Sequence, residues 1–216
     1  MNLWLVVPVK PFDESKSRLA AILARQERAA LTRSLLTRTL HVAQASGHFA
    51  RLLVVSRDDA VLAVAAAAGA ATLAEAGADL NRALRQGCDH ALRQGAEAAL
   101  ILPADLPLLT MADLDRLAEA AAGAGLVLAP SQDGGTNALL LRLPLPMPLC
   151  FGPDSFRRHQ QAAAARRLTV AVCATPSLAF DLDWPEDLAA LRHSGTTGTI
   201  DQEGLVCQGS GKGEGS

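Results

Sequence analysis

Only four cysteines occur in the 216 residues, at positions 88, 150, 173 and 207, and no two of them form a C-x-x-C pair. Thiols so scattered, in a chain of this size, exclude a fold that depends on disulfide staples and point to reduced cysteines in a cytoplasmic setting. Charge of one sign is also never concentrated. Lys and Arg number 20 against 22 Asp and Glu, and no block of like charge interrupts the chain. A nucleic-acid footprint is therefore not indicated, and small molecules are the expected partners. Long apolar runs are missing too. The longest, "AVLAVAAAAGAATLA" from Ala60, is mostly alanine and too short for a membrane span, and "MNLWLVVPVK" lacks a basic segment ahead of its strand-length apolar run. Neither a signal peptide nor a membrane anchor is expected. The five histidines, His41, His48, His90, His159 and His193, show no metal-ligand spacing, and no G-x-S-x-G occurs. Zinc ligation by histidine and serine-based hydrolysis thus lack support.

Half of the residues are hydrophobic, enough for one sizeable core and a single domain. "LWLVVPV" (3–9) and "RLLVVS" (51–56) are continuous apolar runs of the kind found in strands covered on both faces. Between them, from Lys16 to Ser46, Leu19, Ile22, Leu23, Leu31, Leu35, Leu36 and Leu40 recur at helical steps, with a break near Arg25. The pattern predicts a helix over 58–68, a short strand at "ATLAE", a helix over 79–94 with Leu80, Leu84 and Leu92 inward, and a strand leading into "LPADLP". Thr110 is a credible N-cap for a helix through Ala122. Strand alternating with helix is the rhythm of a parallel α/β sheet. The second half changes character: "GLVLAP" and "NALLLRL" read as strands joined by a Gly-rich loop, followed by a helix from Gly152, a strand "LTVAVC", and a helix starting near Pro185. Residues 1–193 are thus expected to form one domain and 194–216 a flexible Gly/Ser-rich tail. The Gly-Lys of that tail imitates a phosphate-binding loop, but such a loop must be pinned between a strand and a helix.

Several stretches carry chemistry, each with an ordinary alternative. "PVKPFDESKSRLA" places Lys10, Lys16 and Arg18 at a strand-to-helix transition, where the carboxyl end of a sheet strand and a helix N-terminus favour a polyphosphate; the alternative is a solvated loop. Asp105 in "LILPADLPLL" lies between two prolines at a strand end, suited to hold Mg²⁺ or else to cap a turn. In "FDLDWPEDL", Asp181 and Asp183 share one face of an extended segment and form a second candidate metal site, while Asp187 fits the first turn of the next helix. In "DGGTNAL", Gly134 and Gly135 are expected to let backbone N–H groups approach an anion through positive φ, and Thr136 adds a hydroxyl. "FGPDSF" places Gly152 and Ser155 at a helix start, which is an anion site or a bare cap.

In this order the motifs "VVPVKPFDESKSRLA", "LILPADLPLL", "SQDGGTNALLLR", "FGPDSFRRHQ" and "FDLDWPEDL" resemble the CofC-type guanylyltransferases that make the guanylated three-carbon precursor of coenzyme F(420). The likeness covers residues 1 to 192. It implies a three-layer α/β/α, Rossmann-like nucleotide-diphospho-sugar transferase fold with a mixed, mostly parallel sheet, and the use of GTP with Mg²⁺. By the same likeness Asp105 with Asp181 or Asp183 would hold metal, and Lys16, an exposed loop cation in this reading, would contact phosphate together with Lys10, Arg18 and Asn81. Thr136, Gly152 and Ser155, flanked by Gly134 and Gly135, would bind phosphoenolpyruvate, 2-phospho-L-lactate or 3-phospho-D-glycerate. Trp184 stands where a small residue is commoner. The alternatives are another nucleotidyltransferase of the molybdopterin guanylyltransferase kind, whose start resembles "L-x-G-G-x-S-x-R-M-G" and is not present here, a glycosyl transferase using "DLD", or a non-catalytic nucleotide-binding protein.

Overall fold

The computed structural model describes residues 1–193, so the expected tail at 194–216 lies outside the described residues. Seven strands, β1 (Leu3–Pro8), β2 (Arg51–Ser56), β3 (Ala71–Ala74), β4 (Ala98–Ile101), β5 (Leu126–Pro130), β6 (Thr136–Arg142) and β7 (Val170–Val172), form one sheet in the order β3-β2-β1-β4-β6-β5-β7. Every neighbouring pair is parallel except those made by β6, which runs antiparallel to both β4 and β5. Reversing that strand has a functional consequence. The start of β6 at Thr136 comes to the same edge of the sheet as the carboxyl ends of β1, β2 and β4.

Period two in the strands divides the core. Leu5 and Val7 face α1 (Arg25–Ser46), α2 (Asp59–Ala67) and α4 (Met111–Ala120) on one side. Trp4 and Val6 face α3 (Leu80–Arg93) and α5 (Ser155–Ala165) on the other. A third, smaller core of Leu19, Leu31, Leu35, Leu182, Leu188 and Leu191 clamps the first loop and α1 against α7 (Pro185–His193). That core brings the loop after β1 and the segment before α7 to one place.

Most predicted elements are present, with some differences. The helical stretch from Lys16 is broken near Arg25, as expected, with only a 3₁₀ turn, Ser17–Ala21, ahead of α1; a further 3₁₀ turn, Phe12–Glu14, lies in the loop before it, and Ile22, expected inward, is half exposed. Thr110 caps α4 by accepting from the Asp113 N–H, but the helix ends at Ala120 rather than Ala122. A four-residue helix, α6 (Pro176–Ala179), for which the sequence carried no expectation, precedes the Asp181–Asp183 segment. It docks because the Thr175 and Ser177 hydroxyls donate to the buried Asp113 carboxylate, each at 2.7 Å. Leu80, expected in the core, is 40% exposed.

Candidate active site

A cavity of about 440 Å³ opens along the carboxyl ends of β4, β1, β2 and β3, where open α/β sheets gather ligands. Lys10, Lys16, Asp105 and Asp183 line one end, and Val55, Arg57, Glu75, Ala78 and Leu80 the other. The exposure of Leu80 is therefore exposure to this cleft. It sits in the first turn of α3, whose N-terminus Asp79 caps by accepting from the Arg82 N–H at 2.8 Å.

Lys16 is the centre of the charged end. Its backbone takes the left-handed conformation (φ 52), which costs a non-glycine residue about 1 to 3 kcal/mol and turns the side chain into the site. The ammonium donates to Asp105 Oδ2 at 2.7 Å and to Asp183 Oδ1 at 3.0 Å. Only 5% of the side chain is exposed, which corrects the reading of Lys16 as a solvated loop cation: the carboxylates draw it inward. Burial lowers its pKa, but Asp105 and Asp183 outweigh that and hold it above the ordinary lysine value. Arg18 donates to Asp183 Oδ2 at 2.8 Å, and its guanidinium lies 4.6 Å from the centre of the exposed Trp184 ring. The unusual tryptophan thus serves as the platform under Arg18.

The two acidic motifs are tied together by backbone. Leu182 N–H donates to Asp105 C=O at 3.0 Å, and Asp187 accepts from the N–H groups of Asp183 and Trp184, as expected of an acid at that helix start. Asp181 lies behind the pair. Its carboxyl is pushed up to about 6, first by burial and then by the Asp105 and Asp183 charges, against the opposing hydrogen bond from Asn137. Three acids thus crowd a place served by one buried ammonium and one half-exposed guanidinium. Mg²⁺ in nucleotide enzymes is commonly held by one or two carboxylates plus substrate phosphates, not by a protein cage, and Asp105 and Asp183 already share one cation. This donor set fits the ion.

Thr136, Ser155 and the glycine loops form a second cluster, off the walls of the cavity. Cys150 N–H donates to His159 Nε2 at 2.9 Å, which fixes the proton on Nδ1, and Nδ1 then donates to Thr136 Oγ1 at 3.1 Å. Burial, with Arg158 nearby, depresses this histidine to about 4, so it is neutral at pH 7. Ser155 Oγ also donates to Thr136 Oγ1, at 3.1 Å. With both acceptor positions of Thr136 filled, its own O–H is the donor that the cluster leaves unspent.

The glycines act differently from one another. Gly134 takes positive φ (84) and its carbonyl accepts from Phe156 N–H at 3.3 Å, joining the "DGGTN" and "GPDSF" loops. Gly135 does not take positive φ. A Cβ there would stand 2.6 Å from Ser131 Oγ, and its N–H donates to Asp133, whose carboxylate also accepts from Ser131. Its N–H is spent within the loop. Gly152 has φ 121, a conformation that a side chain would strain.

Asn81 is not on the cavity walls. Its amide donates to Phe151 C=O at 3.1 Å and accepts from Phe151 N–H at 2.8 Å, so both of its polar groups brace the loop before Gly152. Asn137, quoted in the motif but not singled out, is 6% exposed and donates to Leu178 C=O at 2.9 Å and to Asp181 Oδ1 at 3.4 Å. It links β6 to Asp181. Glu75 and Arg57, at the far end of the cleft, carry no signal in the sequence, and Leu80 beside them reads there as core.

The family model described as "Guanylyl transferase CofC like" matches residues 3–203. The chain is 49% identical over 197 residues to the phosphoenolpyruvate guanylyltransferase of Rubrobacter xylanophilus, covering 90% of this chain and 96% of that one. It is 37% identical to the 2-phospho-L-lactate guanylyltransferase of Methanothermobacter thermautotrophicus (88% and 84% covered). With the 3-phospho-D-glycerate guanylyltransferase of Colwellia psychrerythraea the identity is 32% (88% and 91% covered). Among solved structures, a Desulfovibrio desulfuricans G20 protein described as of nucleotide-diphospho-sugar transferase type superposes with a TM-score of 0.76 at 17% identity, covering 93% of this chain and 90% of that one. The 4-diphosphocytidyl-2C-methyl-D-erythritol synthase of Anaerococcus prevotii gives 0.62 at 8% (89% and 95%). These two likenesses establish the fold expected from the sequence.

Proposed function

Because the chain belongs to the CofC-like guanylyltransferase family, we propose that it transfers GMP from GTP to the phosphate of a phosphorylated three-carbon acid, in coenzyme F(420) biosynthesis. The acceptor class is that of phosphoenolpyruvate, 2-phospho-L-lactate and 3-phospho-D-glycerate. One observation carries the assignment of the site: Lys16, buried between Asp105 and Asp183, at the end of a cleft large enough for a nucleotide. The loop cations Lys10, Lys16 and Arg18 neutralise the phosphates. Asp105 and Asp183, with Asp181 behind them, would hold Mg²⁺, which when bound supplies charge neutralisation on the phosphate oxygens. Thr136 and the turn from Gly152 to Ser155 hold the acceptor.

An oxygen of the acceptor's phosphate attacks the α-phosphorus of GTP. A new P–O–P bond forms, the bond from the α-phosphorus to the bridging oxygen breaks, and pyrophosphate leaves. A phosphate monoester has a second pKa of about 6, so its oxygens are already deprotonated near neutral pH and no protein base is required. The neutral His159, spent on Cys150 and Thr136, agrees with that chemistry. Catalysis rests on alignment of the two phosphates and on preorganised charge.

The test is pyrophosphate release from Mg·GTP with each of the three acids in turn, by wild type and by Asp105→Asn. The amide keeps the shape of the carboxylate and loses its charge, so turnover should fall at least a hundredfold while the fold survives, as judged by circular dichroism. Near-normal release by the variant at ordinary Mg²⁺ would remove Asp105 from the site.

A further inference from the structure

The two ends of the cleft differ in chemistry, and the proposed reaction accounts for only one. Strands lie about 4.8 Å apart, so the tip of β3 is about 10 Å from that of β1, comparable with the reach from phosphate to base in a nucleotide. With phosphates beside Lys16, the base falls against the apolar side chains of Val9, Val55 and Leu80 and reaches the end of β3.

Glu75 stands there, directly after β3, and its backbone is held on three sides. Its N–H donates to Ser56 C=O at 2.8 Å. Gln86 brackets it, donating to Ala74 C=O at 2.8 Å and accepting from Ala76 N–H at 3.0 Å. The neighbouring acids are occupied: Glu14 pairs with Arg57, and Asp79 caps α3. The Glu75 carboxylate, by contrast, accepts no hydrogen bond among the described residues. Burial, with Asp79 and Glu14 nearby, holds its carboxyl above the usual range despite Arg57. Two N–H donors arriving together would relieve that.

We propose that Glu75 is the residue that reads guanine, its two carboxylate oxygens accepting from the N1–H and the 2-amino group of the base. Guanine presents those donors side by side on one edge. Adenine presents an unprotonated N1 and a C–H at the same places, so the carboxylate would meet a lone pair and gain nothing. This assignment rests on the reading of the cleft as the GTP site and adds the group that selects the base.

Inosine triphosphate isolates the contact, because it keeps N1–H and lacks the 2-amino group. Affinity for Mg·GTP and Mg·ITP, measured by calorimetry without acceptor, should differ about ten- to a hundredfold in the wild type, the usual range for a hydrogen bond to a charged group. In Glu75→Ala the two affinities should fall within about threefold of each other, and Glu75→Gln, which keeps one acceptor oxygen, should lie between. Thermal unfolding of each variant checks the fold. A wild-type GTP/ITP ratio retained in Glu75→Ala, or no discrimination by the wild type, would overturn the assignment. Absence of pyrophosphate release from GTP with any of the acids would instead overturn the transfer reading, leaving the affinity ratio to judge Glu75.

Discussion

At the scale of single residues, hydroxyls that look equivalent in the sequence have unequal work. Thr136 accepts from His159 and Ser155 and keeps its own proton to donate, whereas the Ser155 proton is already given to Thr136. Thr136→Val should therefore raise KM for the three-carbon acid about ten- to a hundredfold, the loss of one charge-assisted hydrogen bond, with GTP affinity nearly unchanged. Ser155→Ala should raise it less, because it removes a partner of Thr136 and not the donor itself. Steady-state kinetics with each substrate varied would show this, and a larger effect from Ser155→Ala would reverse the order of the two. His159 gives a separate signature. Its folded pKa of about 4 lies below the 6.5 of an unperturbed histidine. Between those values the unfolded chain binds the proton that the folded one refuses. The stability contribution is therefore complete above about pH 6.5 and is lost as pH falls towards 4, on the order of 3 kcal/mol. Urea unfolding of wild type and His159→Asn over that window should show the slope shrinking in the variant.

Among the elements, α3 joins stability to the nucleotide site. Gly87 lets it approach the sheet: a Cβ there would stand 2.9 Å from Val6 Cγ1 and 3.0 Å from Val55 Cγ2, both on fully buried, stiff side chains. Gly87→Ala gains about 1 kcal/mol of helix propensity, but overpacking typically costs about 1 to 3 kcal/mol. A net loss of up to about 2 kcal/mol is expected by urea denaturation. Because α3 presents Leu80 to the cleft and Val55 also lines it, KM for GTP should rise as well. An unchanged KM would mean that the helix shift is absorbed before it reaches the cleft. The sequence placed α3 correctly from its period. It could not show that Leu80 turns to the cavity, since a leucine in the first turn reads as core whichever surface its helix presents.

For the molecule as a whole, the cleft joins loops from opposite ends of the described chain: Lys16 meets Asp183, 167 positions further along the sequence. Ligand binding should therefore stiffen a global unit. At a hundred times its Kd, Mg·GTP stabilises by about 2.7 kcal/mol. For a domain of this size that is roughly 5 to 10 °C in Tm. Replacing Mg²⁺ with a chelator should remove most of the increment, and Asp105→Asn should respond little to the ion. Equal shifts with and without Mg²⁺ would show that the acids do not hold it.

The sequence by itself determined the alternation of buried strands and helices, through its apolar periods, and the chemical parts of the site, through motifs in which charged or glycine residues follow strands. Lys10, Lys16, Asp105 and Asp183 do meet in one cleft because each follows a strand or lies in the short core that ties α7 to the first loop. Tertiary structure alone decided which polar groups remain free. Asn81 is consumed by the Phe151 backbone and Gly135 N–H by Asp133, while the Glu75 carboxylate is left without a hydrogen bond among the described residues. Those partners lie on other elements or depend on how a loop closes. A motif records which donors and acceptors a chain carries; only packing settles which of them the chain satisfies itself and which it leaves for a ligand.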